Sequence, residues 1–181
     1  MFAWIQEIDW GILHWIHNTL QCGVLDFLMP KLTALGNGGV VWVVAAAALT
    51  VSKEYRRYGI AMFTALAAGV LIGNACLKNL VARPRPCWLE NVPLLITNPT
   101  DYSFPSGHTL SAVIGAAVLT KVNRKFGFAA IPLAALIAFS RLYLYVHFPS
   151  DVLASVVLGT AIGITAVSVA KAVKKRKRAS V

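Results

Sequence analysis

The stretch 126-FGFAAIPLAALIAFSRLYLYV-146 carries one charged residue, Arg141, over a length close to a full membrane crossing. A helix needs about 20 apolar residues to traverse the hydrocarbon core of a bilayer. Working outward, a second apolar run follows at Pro149–Ala170, and others precede it at 107–121, Tyr58–Leu80 and 38–52. Of the 181 residues, 57% are hydrophobic and 13% charged, whereas soluble domains carry about a quarter charged residues. A soluble bundle of this composition lacks the polar side chains to cover its helices. The reading is an all-α fold: an integral membrane helical bundle of one domain.

Residues 4–20 place Trp4, Ile5, Ile8, Ile12, Trp15, Ile16 and Leu20 at helical spacing, with Glu7, His14 and Asn18 mainly elsewhere around the helix. This pattern predicts an N-terminal amphipathic helix lying in the interface, with tryptophans at headgroup depth. Gly23–Leu35 is a poorer crossing because it contains Asp26, Pro30 and Lys31. Counting it with the five longer runs gives six transmembrane helices. The chain then divides into an amphipathic segment, 1–22, a transmembrane domain, 23–170, and a basic tail, 171–181.

The net charge of +10 is distributed in clusters. Lys53, Arg56 and Arg57 form one, Lys121, Arg124 and Lys125 another, and Lys171 with Lys174–Arg178 a third. They account for twelve of the seventeen basic residues and fall after alternate runs, so they share one face. That is the positive-inside pattern, and it predicts both termini in the cytoplasm with the tail on anionic lipid headgroups. No aromatic residue interrupts the tail's charges, which argues against nucleic acid as partner. Cys22, Cys76 and Cys87 show no metal or redox spacing.

The remaining cations lie on the wrong side for this rule. Apart from Lys31 they are Lys78, Arg83, Arg85 and Arg141, at the level of His108, His147 and Asp151. Charges at such places are commonly paired or functional. Three segments meet at this face: 78-KNLVARPRP-86, 105-PSGH-108 and 140-SRLYLYVHFPSD-151. Lys78, Arg85 and Arg141 are strong donors without an equal number of nearby carboxylates in the sequence, and a phosphoryl group suits such a cradle. Pro105 fits a first helical turn, which leaves the Gly107 and His108 N–H groups free for an anion, with the Ser106 hydroxyl beside them. Pro149 predicts the start of the last helix, with His147 just outside it and Asp151 in its first turn. There the carboxylate can orient one imidazole nitrogen and leave the other as an oriented nucleophile. His108, from another helix, is placed to act as general acid.

These segments resemble the tripartite signature of the type 2 phosphatidic acid phosphatases, a family related to vanadium haloperoxidases. Lys-x6-Arg-Pro reads as Lys78…Arg85-Pro86, Pro-Ser-Gly-His as Pro105–His108, and Ser-Arg-x5-His-x3-Asp as Ser140-Arg141…His147…Asp151. The resemblance covers residues 36–170. Arg83 begins an Arg-Pro two residues too early to be the motif arginine. The resemblance implies dephosphorylation through a phosphohistidine, without metal or other cofactor. His147 would attack phosphorus, Asp151 would orient it and His108 would protonate the leaving group. Lys78, Arg85, Ser106, Gly107 and Arg141 would hold the phosphoryl oxygens, on the non-cytoplasmic face of a cell membrane.

Competing readings are a vanadate-dependent oxidoreductase, a non-catalytic carrier of lipid phosphate, and a zinc site built from His108, His147 and Asp151. The motifs address only phosphate. Among lipids, a prenyl diphosphate such as undecaprenyl diphosphate is favoured, with phosphatidylglycerophosphate or phosphatidic acid next. Selection is expected to fall to the helix surfaces and the 87–104 loop.

Overall fold

The computed structural model describes the chain over residues 3–179, and its side chains over residues 3–173. The described residues are helical with connecting loops. The helices are α1 (Ala3–Leu20), α2 (Gly23–Leu35), α3 (Val40–Val51), α4 (Arg56–Gly69), the short α5 (Lys78–Val81) and α6 (Pro86–Leu89), α7 (Gly107–Val122), α8 (Arg124–Tyr143) and α9 (Pro149–Ala179). Between α4 and α5 the chain continues as a π-helical stretch, Val70–Leu77. Such wide turns recur at functional sites, and this one carries Asn74 and delivers Lys78.

α7 is the central helix and packs against α3, α4, α8 and α9. Its core partners are Trp42, Ala46, Met62, Ala65 and Ile137, around Leu110, Ile114 and Val118. Close approach between helices depends on missing side chains, as in other membrane bundles. A Cβ at Gly115 would lie 2.3 Å from Trp42 Cε3, and one at Gly59 would lie 2.6 Å from the Ala46 carbonyl oxygen. The large indole fills the room that glycine leaves.

Arg56–Leu89, Arg124–Tyr143 and Pro149–Val173 are each long and apolar enough to cross a membrane. Gly107–Val122 is apolar but shorter. The expectation of six crossings counted Gly23–Leu35 and residues 38–52 separately. They are instead two short helices bent by 45° across a glycine-rich turn at Asn37–Gly39, and they reach the length and hydropathy of a crossing only as a pair. At about 1.5 Å rise per residue, neither half alone spans a core about 30 Å thick.

The two ends of the bundle differ in charge. Tyr55 and Phe126 meet edge to face at 6.0 Å, which brings the first two basic clusters together at one end. Arg57 and Val173 line the same groove, so the end of α9 lies there too. The motif segments converge at the opposite end. α1 is packed at that motif end, through Asp9 to Ser150 and His14 to Glu90. The expectation that both termini share the basic face therefore fails for the N-terminal helix, which packs at the motif end. The tail residues Lys174–Arg178, read as lipid-facing, have side chains outside the described residues.

Candidate active site

Three backbone features place the site. Ser106 caps α7, accepting from the Thr109 amide at 3.5 Å and from the Thr109 hydroxyl at 3.0 Å. Pro105 thus precedes the helix instead of opening it, and Gly107 and His108 form its first turn. After α8 the chain turns sharply through Tyr145 at φ 60°, a left-handed conformation that costs a bulky residue about 1–3 kcal/mol. The Tyr145 hydroxyl donates to Glu90 Oε2 at 2.6 Å and pins the turn. α9 then starts at Pro149 with Asp151 in its first turn.

A cavity of about 790 Å³ brings the three segments together. Lys78, Arg85, Gly107, His108, Arg141 and His147 all line it, and Pro30, Ala34, Val43, Leu66 and Val70 extend it as an apolar wall. Ser106, wholly buried, and Asp151, buried behind His147, lie outside its lining.

The charges are paired more fully than the sequence suggested. The Asp101 carboxylate bridges Lys78 and Arg85, with Arg85 Nη2 donating to Oδ1 at 2.7 Å. Arg85 also donates to the Asp101 carbonyl at 2.6 Å and the Val146 carbonyl at 2.7 Å. Arg83 pairs with Asp9 and Asp151, each at 2.6 Å. Arg141, 4% exposed, donates to the Thr33 hydroxyl, while its Nε meets no acceptor among the described residues. Four cations thus face three carboxylates, and the expected unpaired cluster reduces to Arg141.

Directional hydrogen bonding fixes the tautomer of His147. Arg85 Nη1 lies 3.1 Å from His147 Nε2, and a guanidinium only donates, so Nε2 presents its lone pair. The proton then resides on Nδ1, 3.4 Å from Ser103 Oγ and 3.7 Å from Asp151 Oδ2. Ser103 donates to Asp151 Oδ2 at 2.5 Å, and the Phe148 amide donates to the same oxygen at 2.9 Å. The expected direct His147–Asp151 hydrogen bond is therefore routed through Ser103. Burial, opposed by the nearby Asp151 carboxylate and reinforced by the Arg85 and Arg141 charges, lowers the His147 imidazole to about 3. Burial pushes the Asp101 carboxyl up, but the Lys78 hydrogen bond and the Arg85 and Lys78 charges outweigh it and hold it at about 2.

On the far side of the cavity, His108 Nε2 donates to Asn37 Oδ1 at 2.8 Å, from the turn between α2 and α3. Gly36 in the same turn is closely applied to His108, since a Cβ there would lie 2.8 Å from its Cδ2. No three His, Cys, Asp or Glu side chains converge with metal-binding geometry among the described residues. The zinc reading thus lacks its ligand set.

The sequence profile of the PAP2 superfamily matches residues 57–175. The chain belongs to this family. It is a membrane phosphatase of the PAP2 type. An undecaprenyl-diphosphatase from Sulfolobus acidocaldarius is 34% identical over 154 residues, covering 84% of this chain and 74% of its own. Undecaprenyl-diphosphatase BcrC from Bacillus subtilis is 31% identical over 153 residues, covering 84% and 76%. The PAP2-type phosphatidylglycerolphosphate phosphatase of Bacillus subtilis, solved by crystallography, has the same fold. Its TM-score is 0.78 at 24% identity, over 94% of this chain and 88% of that one.

Within this PAP2 site the sequence reading overlooked Asp101, Ser103 and Asn37 and left Arg83 without a role. A signal existed for Asp101. It is the only acidic residue between Glu90 and Asp151, and four cations needed partners. Ser103 and Asn37 carried no such mark, because hydroxyl and amide residues in loops are ordinary.

Proposed function

We propose that this PAP2 phosphatase removes a phosphate from a membrane lipid phosphate through a phosphohistidine on Nε2 of His147, without a metal ion. The reading is carried by the His147 Nε2 lone pair, held 3.1 Å from Arg85 in a cavity shared with Lys78, Arg141 and His108. A phosphoryl oxygen takes the Arg85 N–H, which frees the lone pair to form the N–P bond. Lys78, Arg85 and Arg141, with the Gly107 amide, stabilise charge on the phosphoryl oxygens as the bond to the leaving oxygen breaks. Asp151 orients His147 through Ser103. His108 acts in its doubly protonated form: it gives one proton to the leaving oxygen, becomes neutral while its Nε2–H stays on Asn37, and regains a proton from the water that hydrolyses the phosphohistidine. Ser106 contributes by capping α7 and holding Gly107 and His108 in place.

The lipid class follows from the cavity wall. Pro30, Ala34, Val43, Leu66 and Val70 offer apolar surface beside the cations, which suits a phosphate attached to a hydrocarbon chain. The two undecaprenyl-diphosphatase relatives favour undecaprenyl diphosphate, with phosphatidylglycerophosphate second. The layout that fits is five crossings: the α2–α3 pair, the long α4–α6 unit, α7, α8 and α9. The amphipathic segment 1–22 then lies in the interface on the non-cytoplasmic face with the site, the transmembrane domain covers 23–170, and the basic tail 171–181 rests on anionic lipids of the cytoplasmic face.

The test is phosphate release by purified protein from undecaprenyl diphosphate and phosphatidylglycerophosphate, side by side, with EDTA present. Faster turnover on the diphosphate and its loss in His147→Ala are expected. Undiminished turnover in His147→Ala, or activity lost on chelation, refutes the mechanism, and the reverse ranking of the two lipids refutes the substrate.

A further inference from the structure

Lys78, Arg85 and Arg141 belong to the three-segment signature, and Arg83 does not. Its guanidinium is nonetheless buried and forms bonds to two parts of the chain, α1 and the first turn of α9. Nη1 donates to Asp151 Oδ1 at 2.6 Å and to Ser150 Oγ at 2.8 Å. Nη2 donates to Asp9 Oδ2 at 2.6 Å and to Gln6 Oε1 at 2.8 Å. Its face lies 3.9 Å from the centre of the Phe148 ring, which fixes the plane of the fork. Asp9 also holds the first turn of α9 directly, accepting from the Ser150 amide at 2.8 Å and the Ser150 hydroxyl at 2.5 Å. Gln6 and Asp9 lie on α1, outside the residues that the family profile matches.

The contacts run in one direction, toward the imidazole. Arg83 occupies Oδ1 of Asp151, so the carboxylate presents Oδ2 to the Phe148 amide and the Ser103 hydroxyl. Ser103 in turn faces His147 Nδ1. A carboxylate held at both oxygens has no rotational freedom left, and the planar arginine fork is suited to fix it in that way. Anchoring α1 alone would require only the bonds from Arg83 and Ser150 to Asp9. The bond to Asp151 Oδ1 ties that anchor to the imidazole's own partner.

We propose that Arg83 and Asp9 are positioning residues for the reaction at His147, through which the N-terminal helix sets the orientation of Asp151 and, by way of Ser103, of the imidazole. This rests on the reading that His147 attacks phosphorus. It adds a required element, α1, that the family signature does not contain.

The experiment measures kcat, KM and inhibition by inorganic phosphate for Asp9→Asn and Arg83→Lys in the full-length protein, each in wild-type and Asp151→Asn backgrounds. Asp9→Asn leaves Arg83 and Asp151 as a neutral pair. Arg83→Lys keeps the charge but loses the fork. Each is expected to lower kcat about tenfold or more, as loss of an orienting partner does. KM and the phosphate inhibition constant stay within about twofold, because Lys78, Arg85 and Arg141 are untouched. In the Asp151→Asn background neither variant causes further loss, since residues acting through one another are not additive. Wild-type kcat in both variants overturns the proposal, as does the same factor lost in both backgrounds, which marks a merely structural clamp. If Arg83→Lys fails to fold, Asp9→Asn decides alone. Inactive His147→Ala beside undiminished Asp9→Asn and Arg83→Lys refutes this inference and leaves the phosphohistidine reading standing. Active His147→Ala refutes that reading itself.

Discussion

The Asp101 carboxylate and the Arg85 guanidinium form an ion pair at 2.7 Å in which the arginine is buried and the acid half exposed. The same carboxylate reaches Lys78, so one loop residue offsets two of the cations that line the cavity. Asp101→Asn removes that offset. The expected result is tighter binding of inorganic phosphate, by about tenfold, since charge-assisted bonds to the cations no longer face a competing carboxylate. Titration calorimetry on the purified variant checks it. Because Asp101 ionises at about 2, below the ordinary value of 3.8, its stabilising effect is complete above pH about 4 and is lost only as pH falls through about 2. No change in activity between pH 5 and 9 should be traceable to this group.

Ser103 stands between the imidazole and its carboxylate. Ser103→Ala removes the donor to Asp151 Oδ2 and the acceptor near His147 Nδ1 while leaving the cation cradle intact. A fall in kcat of about 10- to 100-fold with KM little changed is expected. Steady-state kinetics separates this from a binding defect, which would raise KM instead.

His147 links folding to pH. Its imidazole protonates at about 3 in the folded chain, against 6.5 when unperturbed. The unfolded chain therefore binds an extra proton between these values, and the native state is favoured fully above pH about 6.5 and progressively less below it, at about 1.4 kcal/mol per pH unit. Thermal midpoints in detergent should fall from pH 6.5 to 4. The fall should be shallower in His147→Gln, which has no titrating group at this position. Parallel curves for the two proteins would refute the assignment.

Gly59 is a packing position far from the chemistry. A Cβ there would meet Thr50 Oγ1 at 2.2 Å and the Ala46 carbonyl at 2.6 Å, and the second is backbone that cannot swing away. Gly59→Ala is expected to destabilise the bundle by about 1–3 kcal/mol, as overpacking does. Its effect should appear as a lower thermal midpoint with near-normal kcat in the fraction that folds.

The helical bundle was legible because lipid-facing segments must be long and apolar, and runs such as Phe126–Val146 declare themselves. The bend between α2 and α3 left no such mark. Hydropathy registers apolar residues but not the direction change at Gly36–Gly39, where Gly38 and Gly39 adopt left-handed conformations. At the site, the signature cations and histidines were visible as costly groups in an apolar chain. Asp9 was not, since an acid on an amphipathic helix is expected to face water, whereas here it is buried against Arg83. Long-range pairing of this kind leaves no local pattern to read.

The joint between α2 and α3 has a further consequence. The turn that bends the pair is the one that supplies Asn37 and Gly36 to His108. One backbone joint therefore sets both the 45° angle between the two helices and the seat of one imidazole. Asn37 and Gly36 hold the ring from within that joint, which makes the bend part of the histidine's socket.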